Sequence, residues 1–389
     1  MAGSPKPRMV IIGAGATGRG HIGQLAHDSG FEITFIERRQ NLVDVLRRAE
    51  RYRVGLAGEA IEYLEIGGFA TLHTSEVDAC SKAIAEADIV ATAVLPTNLE
   101  STVPTLSAGL RLRQSIGVSK PLNVSACENM ERSSSTLRSY LKNDAPDLDW
   151  DWVNSHVGFP DSMVARAVPV PKEDPLTLLA ESTQEWSVDA TGLREPMPRV
   201  EGMTLSLDQE AALERKLYIK NTGHMAIGVL GLLAGYSLMD EAARDPRVLN
   251  LVDAATRESA AAVIAKHGFD PAWVEDYRSS FLEAMKSPFL PDGIGRVIRE
   301  PRRKLTREER LIGPAMLACE YGTRPEALAE VIAACLMIDN PADPQSAELQ
   351  SMLRRTGVEA VLRDVCGIPE GHLLTSLITD AYRQRATAN

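Results

Sequence analysis

The sequence predicts a two-domain α/β chain: a doubly wound parallel sheet over residues 1–195, followed by a mainly α-helical domain over 196–389. Three observations carry that prediction. Short β-branched runs alternate with helix-period stretches in the first half. A segment rich in Pro, Gly and charge, SVDATGLREPMPRVEGM from Ser187, then interrupts the pattern. Beyond it strand signals nearly vanish while helical spacing persists. At 389 residues the chain also exceeds what one core usually organises.

Taken in order, MVIIGAG is a short strand, TGRGHIGQLAHDSG has helical periodicity up to a stop at Gly30, and FEITFIE is a second strand. ADIVATAVLP repeats the theme as a buried strand ending in a Pro-containing loop, and KPLNVSACENM runs from an apolar strand into a polar loop. Such alternation fits parallel strands covered by helices. In the second half SLDQEAALERKLYIKNTGHMAIGVL, RVLNLVDAATRESAAAVIAKHG, PAWVEDYRSSFLEAMK and RPEALAEVIAACLMI read as capped helices, with no internal repeat or low-complexity tract.

Composition narrows the function. Forty-two Lys and Arg against 53 Asp and Glu give a net charge of −11, which argues against a nucleic acid or an anionic membrane as principal partner. The five cysteines (Cys80, Cys127, Cys319, Cys335 and Cys366) are scattered and never spaced CxxC, so neither a disulfide framework nor a zinc site is expected, and no metal. Apolar stretches fall short of the ~20 residues that span a bilayer. MAGSPKPRMV leads straight into a strand without a signal region. The expectation is a soluble, cytoplasmic protein.

Gly13, Gly15 and Gly18 in GAGATG follow a strand and open a helix, and Glu37 ends the next strand, the arrangement of a Rossmann-type dinucleotide site. Gly13 permits the tight turn, Gly15 lets backbone N–H groups approach a pyrophosphate, and Gly18 lets the helix pack on the strand. Glu37 would accept ribose hydroxyls and repel a 2′-phosphate, favouring NAD over NADP. Arg38 and Arg39 beside it could instead clamp that phosphate.

A second feature is KLYIKNTGHM, where Lys216, Asn221 and His224 crowd the mouth of an apolar helix. At ~100° per residue they fall at roughly 0°, 140° and 80°, on one face. A lysine in a closed cleft loses part of its affinity for the proton, and asparagine and histidine N–H groups can stabilise a developing oxyanion. Together they make an acid/base apparatus for oxidising an alcohol. Spacing alone leaves the alternative open: a solvated Lys216 paired with Glu210 or Glu214, a helix-end Asn221 and a core His224. Likewise Arg296, Arg299, Arg302, Arg303 and Lys304 in GRVIREPRRKL form either a phosphate site or a solvated basic turn.

The stretch ERKLYIKNTGH resembles the signature of the polyol-specific long-chain dehydrogenases, the mannitol dehydrogenase family, with asparagine five and histidine eight residues after the lysine. GAGATGRGHIG, ATAVLP, PLNVSACENM, HVGFPDSMVARAVP, AGYSLMDEAARDPRV, SPFLPDGIGRVIREPRRKL and ERLIGP…EYG extend the resemblance over essentially the whole chain, and Asn-Thr-Gly-His is similar to the branch that acts on polyol phosphates. The resemblance implies an NAD-dependent oxidoreductase interconverting mannitol 1-phosphate and fructose 6-phosphate without metal. An unphosphorylated polyol or a sugar acid is the alternative, and a non-catalytic dinucleotide sensor a remoter one. It makes Lys216 the acid/base and puts Asn221 and His224 at the reacting oxygen. Segment 10–20, including Gly13, Ala14, Gly15, Ala16, Thr17, Gly18 and Arg19, goes on the cofactor, with Glu37, Thr92 and Asn129. Asp161 is implied at the substrate, with a helix cap as its alternative; Arg166 and, from the basic cluster, Arg296, Arg299 and Arg303 are further substrate candidates. A monomer is implied as well. Three departures stand out: Ala165 replaces a usual aspartate, Gly293 a second acidic residue, and His21 an aromatic.

Overall fold

A computed structural model describes residues 5–58, 60–169, 174–290 and 292–388. They fall into two compact units, Met1–Ala212 and Leu213–Asn389.

The first unit is built on six parallel strands in the spatial order Ala70–His73, Glu32–Glu37, Arg8–Ile12, Ile89–Thr92, Leu122–Ala126, Val157–Gly158. The chain winds outward from Arg8–Ile12 in one direction, then returns and continues in the other. The switch point therefore lies between Arg8–Ile12 and Ile89–Thr92, the place where open α/β sheets bind ligands beyond their carboxyl ends. Ile12 pairs with both Ile36 and Thr92, so Gly13, Glu37 and Ala93 emerge at that same edge. Met9 and Ile11 pack into the core on one face of the sheet, Val10 and Ile12 into the core on the other. Burial on both faces is why this strand reads as an unbroken apolar run.

Two three-stranded sheets accompany the main one. Arg51–Ala57 and Ile61–Gly67 form an antiparallel hairpin, extended by Thr177–Glu181 in parallel to Arg51–Ala57. In the other, Glu185–Asp189 lies between Ser162–Ala165 and Met203–Ser206. This last sheet corrects the boundary expected at 195/196. Met203–Ser206 pairs with Glu185–Asp189, and Gln209 exchanges hydrogen bonds with Ser187 at 2.8 and 3.1 Å, so 196–212 is tied into the first unit.

Among its described residues the second unit contains helices and no strand. Three of its helices start at an Asp-Pro pair: Asp245, Asp270 and Asp343 accept the N–H of Arg247, Trp273 and Gln345 at 2.8–3.0 Å, with Pro in the first turn where no donor is needed. The apolar core gathers around Thr222–Leu233 and Glu326–Leu336, which are buried along most of their length. No described helix is long and apolar enough to cross a membrane.

Candidate active site

The glycine loop sits at the switch point as a cradle. Gly13 has φ +103°, and a Cβ there would lie 2.5 Å from the Ala93 carbonyl oxygen; a Cβ on Gly18 would collide with the Gly13 carbonyl. Gly15 differs, because a Cβ there would meet only the Arg39 guanidinium, at 3.9 Å. The space above Gly15 is open, and Gly15, Ala16 and Thr17 are the loop residues left partly exposed, which suits a pyrophosphate lying against backbone N–H groups. The loop then enters a π-helical turn, Gly18–Gly23, before Gln24–Asp28 continues as α-helix.

Glu37 is 4% exposed and accepts the Ala14 N–H at 3.0 Å, together with the N–H and two side-chain N–H groups of Arg39 at 2.9–3.0 Å. Burial pushes its pKa up, but the Arg39 hydrogen bonds and charge outweigh that, and the carboxyl sits below the ordinary range. Arg19 corrects a reading. It turns inward, giving Nε to the Ala14 carbonyl at 2.8 Å and Nη1 to Pro175 at 2.5 Å over the Tyr52 ring, so it braces the loop from behind instead of meeting cofactor. Thr92 is fully buried, and its hydroxyl is spent on Glu128, whose carboxylate also accepts the Val94 N–H at 3.0 Å. Glu128, raised by burial, was not singled out from the sequence. It stands at the start of the polar loop after Leu122–Ala126, and its partners Thr92 and Val94 are more than 30 residues away in sequence. Asn129 next to it is exposed.

Gln209–Arg215 is α-helical, Lys216–Asn221, in the second unit, is π-helical, and Thr222–Leu233 is α-helical again. Hydrogen bonds from i to i+5 turn the chain through a smaller angle per residue than the ~100° of an α-helix. Lys216 and Asn221 are thereby drawn closer to one face than α-helical spacing allows, and His224 follows one turn on. The Thr222 hydroxyl donates to the Arg310 carbonyl, fixing this turn to 310. Burial, and after it the charges of Lys220 and Arg310, bring the Lys216 pKa from 10.5 down to about 8. Arg215 and Lys220 on either side lie over aromatic rings, Arg215 4.5 Å from Trp273 and 4.6 Å from Tyr277, Lys220 4.7 Å from Tyr277. His224 meets a partner unforeseen from the sequence: its Nε2 is 3.5 Å from Oδ2 of Asp292, which also receives Arg296.

The remaining substrate candidates divide. Asp161 is spent on a helix terminus, its two oxygens taking the Ser135 N–H at 2.8 Å and hydroxyl at 2.7 Å in the first turn of Ser133–Asp144. Arg166 is likewise corrected. It donates to the carbonyls of Glu181 at 2.7 Å and Gly20 at 3.2 Å and to the Gln24 amide oxygen at 2.5 Å, so the loss of an aspartate at Ala165 leaves no free guanidinium. Arg303 bridges Glu300 and Glu309 at 2.8 and 2.7 Å, and Arg302 pairs with Glu348, which removes both from a free phosphate site. Arg299 is exposed, without a hydrogen bond or ion pair among the described residues. Arg296 is the one brought to His224, through Asp292. Among the described residues no three His, Cys, Asp or Glu side chains converge as metal ligands.

A doubly wound sheet with an open glycine cradle at its switch point, followed by a helical unit, is the build of a nicotinamide dinucleotide-dependent oxidoreductase. Residues 7–202 match the model of the mannitol dehydrogenase Rossmann domain and 209–386 that of the mannitol dehydrogenase C-terminal domain. The chain is 37% identical over 376 residues to mannitol-1-phosphate 5-dehydrogenase of Brevibacillus brevis, covering 96% of this chain and 97% of that one. The chain belongs to the mannitol dehydrogenase family, and is an oxidoreductase of the polyol dehydrogenase class. Among solved structures, mannitol 2-dehydrogenase of Pseudomonas fluorescens, in ternary complex with NAD and D-mannitol, shares the fold at TM-score 0.73 and 18% identity over 98% of this chain and 92% of that one. A substrate-free D-sorbitol dehydrogenase does so at TM-score 0.82 and 17% identity, covering 98% and 94%.

Proposed function

We propose that the chain is an NAD-dependent polyol phosphate dehydrogenase that interconverts mannitol 1-phosphate and fructose 6-phosphate, with Lys216 as general acid/base. The observation that carries the reaction type is Lys216 on its π-helical turn, its pKa brought down to about 8, in register with Asn221 and His224. The near-full-length likeness to a mannitol-1-phosphate 5-dehydrogenase supports the substrate.

The glycine cradle would hold the pyrophosphate on the backbone at Gly15, and Glu37 the adenosine ribose. Because Arg39 is already engaged by Glu37, a 2′-phosphate would meet a buried, ionised carboxylate, which supports NAD over NADP. A nicotinamide dinucleotide held on this cradle would supply hydride transfer to and from the reacting carbon. In oxidation, neutral Lys216 takes the hydroxyl proton as the C–O bond becomes a carbonyl. In reduction, the Lys216 ammonium returns that proton to the oxygen, while the Asn221 amide holds its developing charge and the His224 ring holds a substrate hydroxyl. The proton acceptor is a side chain of this protein, so the step asks for no metal.

A second reading, an unphosphorylated polyol as substrate, is favoured by one observation: Arg302 and Arg303 are already neutralised by carboxylates. Initial rates of NADH oxidation with fructose 6-phosphate and with free fructose decide between them. The proposal expects the phosphate to be the better substrate, and faster turnover of free fructose overturns it.

A further inference from the structure

Asp292 does not belong to the helix that carries Lys216, Asn221 and His224; it reaches that helix from a loop. The loop is fastened at its backbone, with the Met239 N–H donating to the Asp292 carbonyl at 2.9 Å, the Ile294 N–H to Ser237 at 3.0 Å, and Gly293 bridged to Leu238. The carboxylate is thus delivered by a fixed main chain. Its side chain is 21% exposed and that of His224 28%, so the pair is partly withdrawn from water without being sealed.

The two carboxylate oxygens are divided in a specific way. Oδ1 accepts Nε of Arg296 at 2.8 Å, and Oδ2 takes Nη2 of Arg296 and faces Nε2 of His224 at 3.5 Å. Arg296 therefore clamps the carboxylate in a two-pronged bond and stops it from rotating away from the ring. An imidazole nitrogen directed at a carboxylate carries the proton, which leaves Nδ1 as the nitrogen that can face another group. In that tautomer Nδ1 accepts a hydrogen bond from a hydroxyl of the polyol or ketose, which holds the substrate in register with Lys216 in either direction of the reaction.

We propose that Asp292 is a positioning residue for this reaction, setting the orientation and tautomer of His224 through Nε2 and itself held by Arg296. The inference rests on the reading of Lys216, Asn221 and His224 given above, and Asp292 need not touch substrate.

The test is a double-mutant cycle with Asp292→Asn, His224→Ala and the pair, followed by steady-state reduction of fructose 6-phosphate and of free fructose with NADH. Asp292→Asn is expected to lower kcat by about 10–100-fold, the usual cost of losing a group that orients a working imidazole, with KM within about threefold and NADH binding, read by fluorescence, unchanged. In the His224→Ala background the same change should cost less than about twofold, because no ring remains to be oriented. Asp292→Glu should recover part of the loss. An Asp292→Asn enzyme with parental kcat, or an equal loss in both backgrounds, overturns the proposal. The same cycle run on urea midpoints reads the coupling of the two side chains without any substrate, and no coupling there also overturns it. A parent protein that turns over neither sugar refutes the proposed function and leaves the urea cycle to decide the role of Asp292.

Discussion

Replacing Lys216 by methionine separates what this side chain does for the reaction from what it costs the fold. The drop from 10.5 to about 8 measures how much the folded protein disfavours the ammonium. At ~1.4 kcal/mol for each pKa unit this is ~3 kcal/mol, and contact of the half-buried side chain with water trims it to ~2 kcal/mol. Below pH 8 the lysine is protonated in both states and the whole cost is present. Between about 8 and 10.5 the folded protein has released a proton that the unfolded chain still binds, so stability rises with pH across that window. Methionine is of similar length, is a good helix former and carries no charge. Thermal unfolding should therefore show Lys216→Met melting higher than the parent at pH 7, by ~4–8 °C at ~2–4 °C per kcal/mol for a unit of this size. The gap should close toward pH 10, and turnover should fall by ~10²–10⁴. A variant that melts lower than the parent, or a gap indifferent to pH, would refute the claim that burial lowers the lysine's proton affinity.

Other outcomes follow from the same geometry. Polyol oxidation needs the neutral lysine, so kcat/KM should rise with pH and level off above about 8, while ketose reduction needs the ammonium and should decline above about 8; parallel profiles in both directions would count against Lys216. Glu37→Gln keeps an acceptor for the Ala14 N–H but removes the charge; the kcat/KM preference for NAD over NADP should shrink by ~10-fold or more, measured with both coenzymes on one substrate. Asp161→Ala should cost ~1–2 kcal/mol in urea denaturation through loss of the bonds to Ser135, with KM for the sugar unchanged, whereas a raised KM would return Asp161 to the substrate.

What the sequence disclosed and what it hid have physical reasons. Arg8–Ile12, the glycine loop and Glu37 were legible because they are contiguous and their chemistry is local. The same holds for the Lys216–Asn221–His224 spacing. Glycine loop and site spacing each announce themselves within a few residues. The hairpin of Arg51–Ala57 and Ile61–Gly67 was passed over because all but one residue of its outer strand is exposed or half-buried, so little hydrophobic patterning marks it. Partnerships across long stretches of chain were invisible for another reason. Asp161 with Ser135, Thr92 with Glu128 and His224 with Asp292 are 26, 36 and 68 residues apart, and each looks in sequence like an uncommitted polar side chain. The arginine cluster misled in the opposite sense, since a dense run of cations in an acidic chain suggests a ligand until its carboxylate partners Glu300, Glu309 and Glu348 are seen folded against it.

The π-helical turn at Lys216–Asn221 separates two requirements carried by one continuous helix. Downstream of it, Thr222–Leu233 buries Met225, Ile227, Val229 and Leu230 in the main core of the second unit. Six residues at the smaller π-helical angle turn the chain through about as much as five at the ~100° of an α-helix, so the turn takes up one extra residue and leaves those side chains nearly in phase. Gaining or losing that residue would move Lys216 relative to His224 while the core keeps its packing. The spacing of the polar residues is therefore a quantity that can change without repacking the helix beyond it.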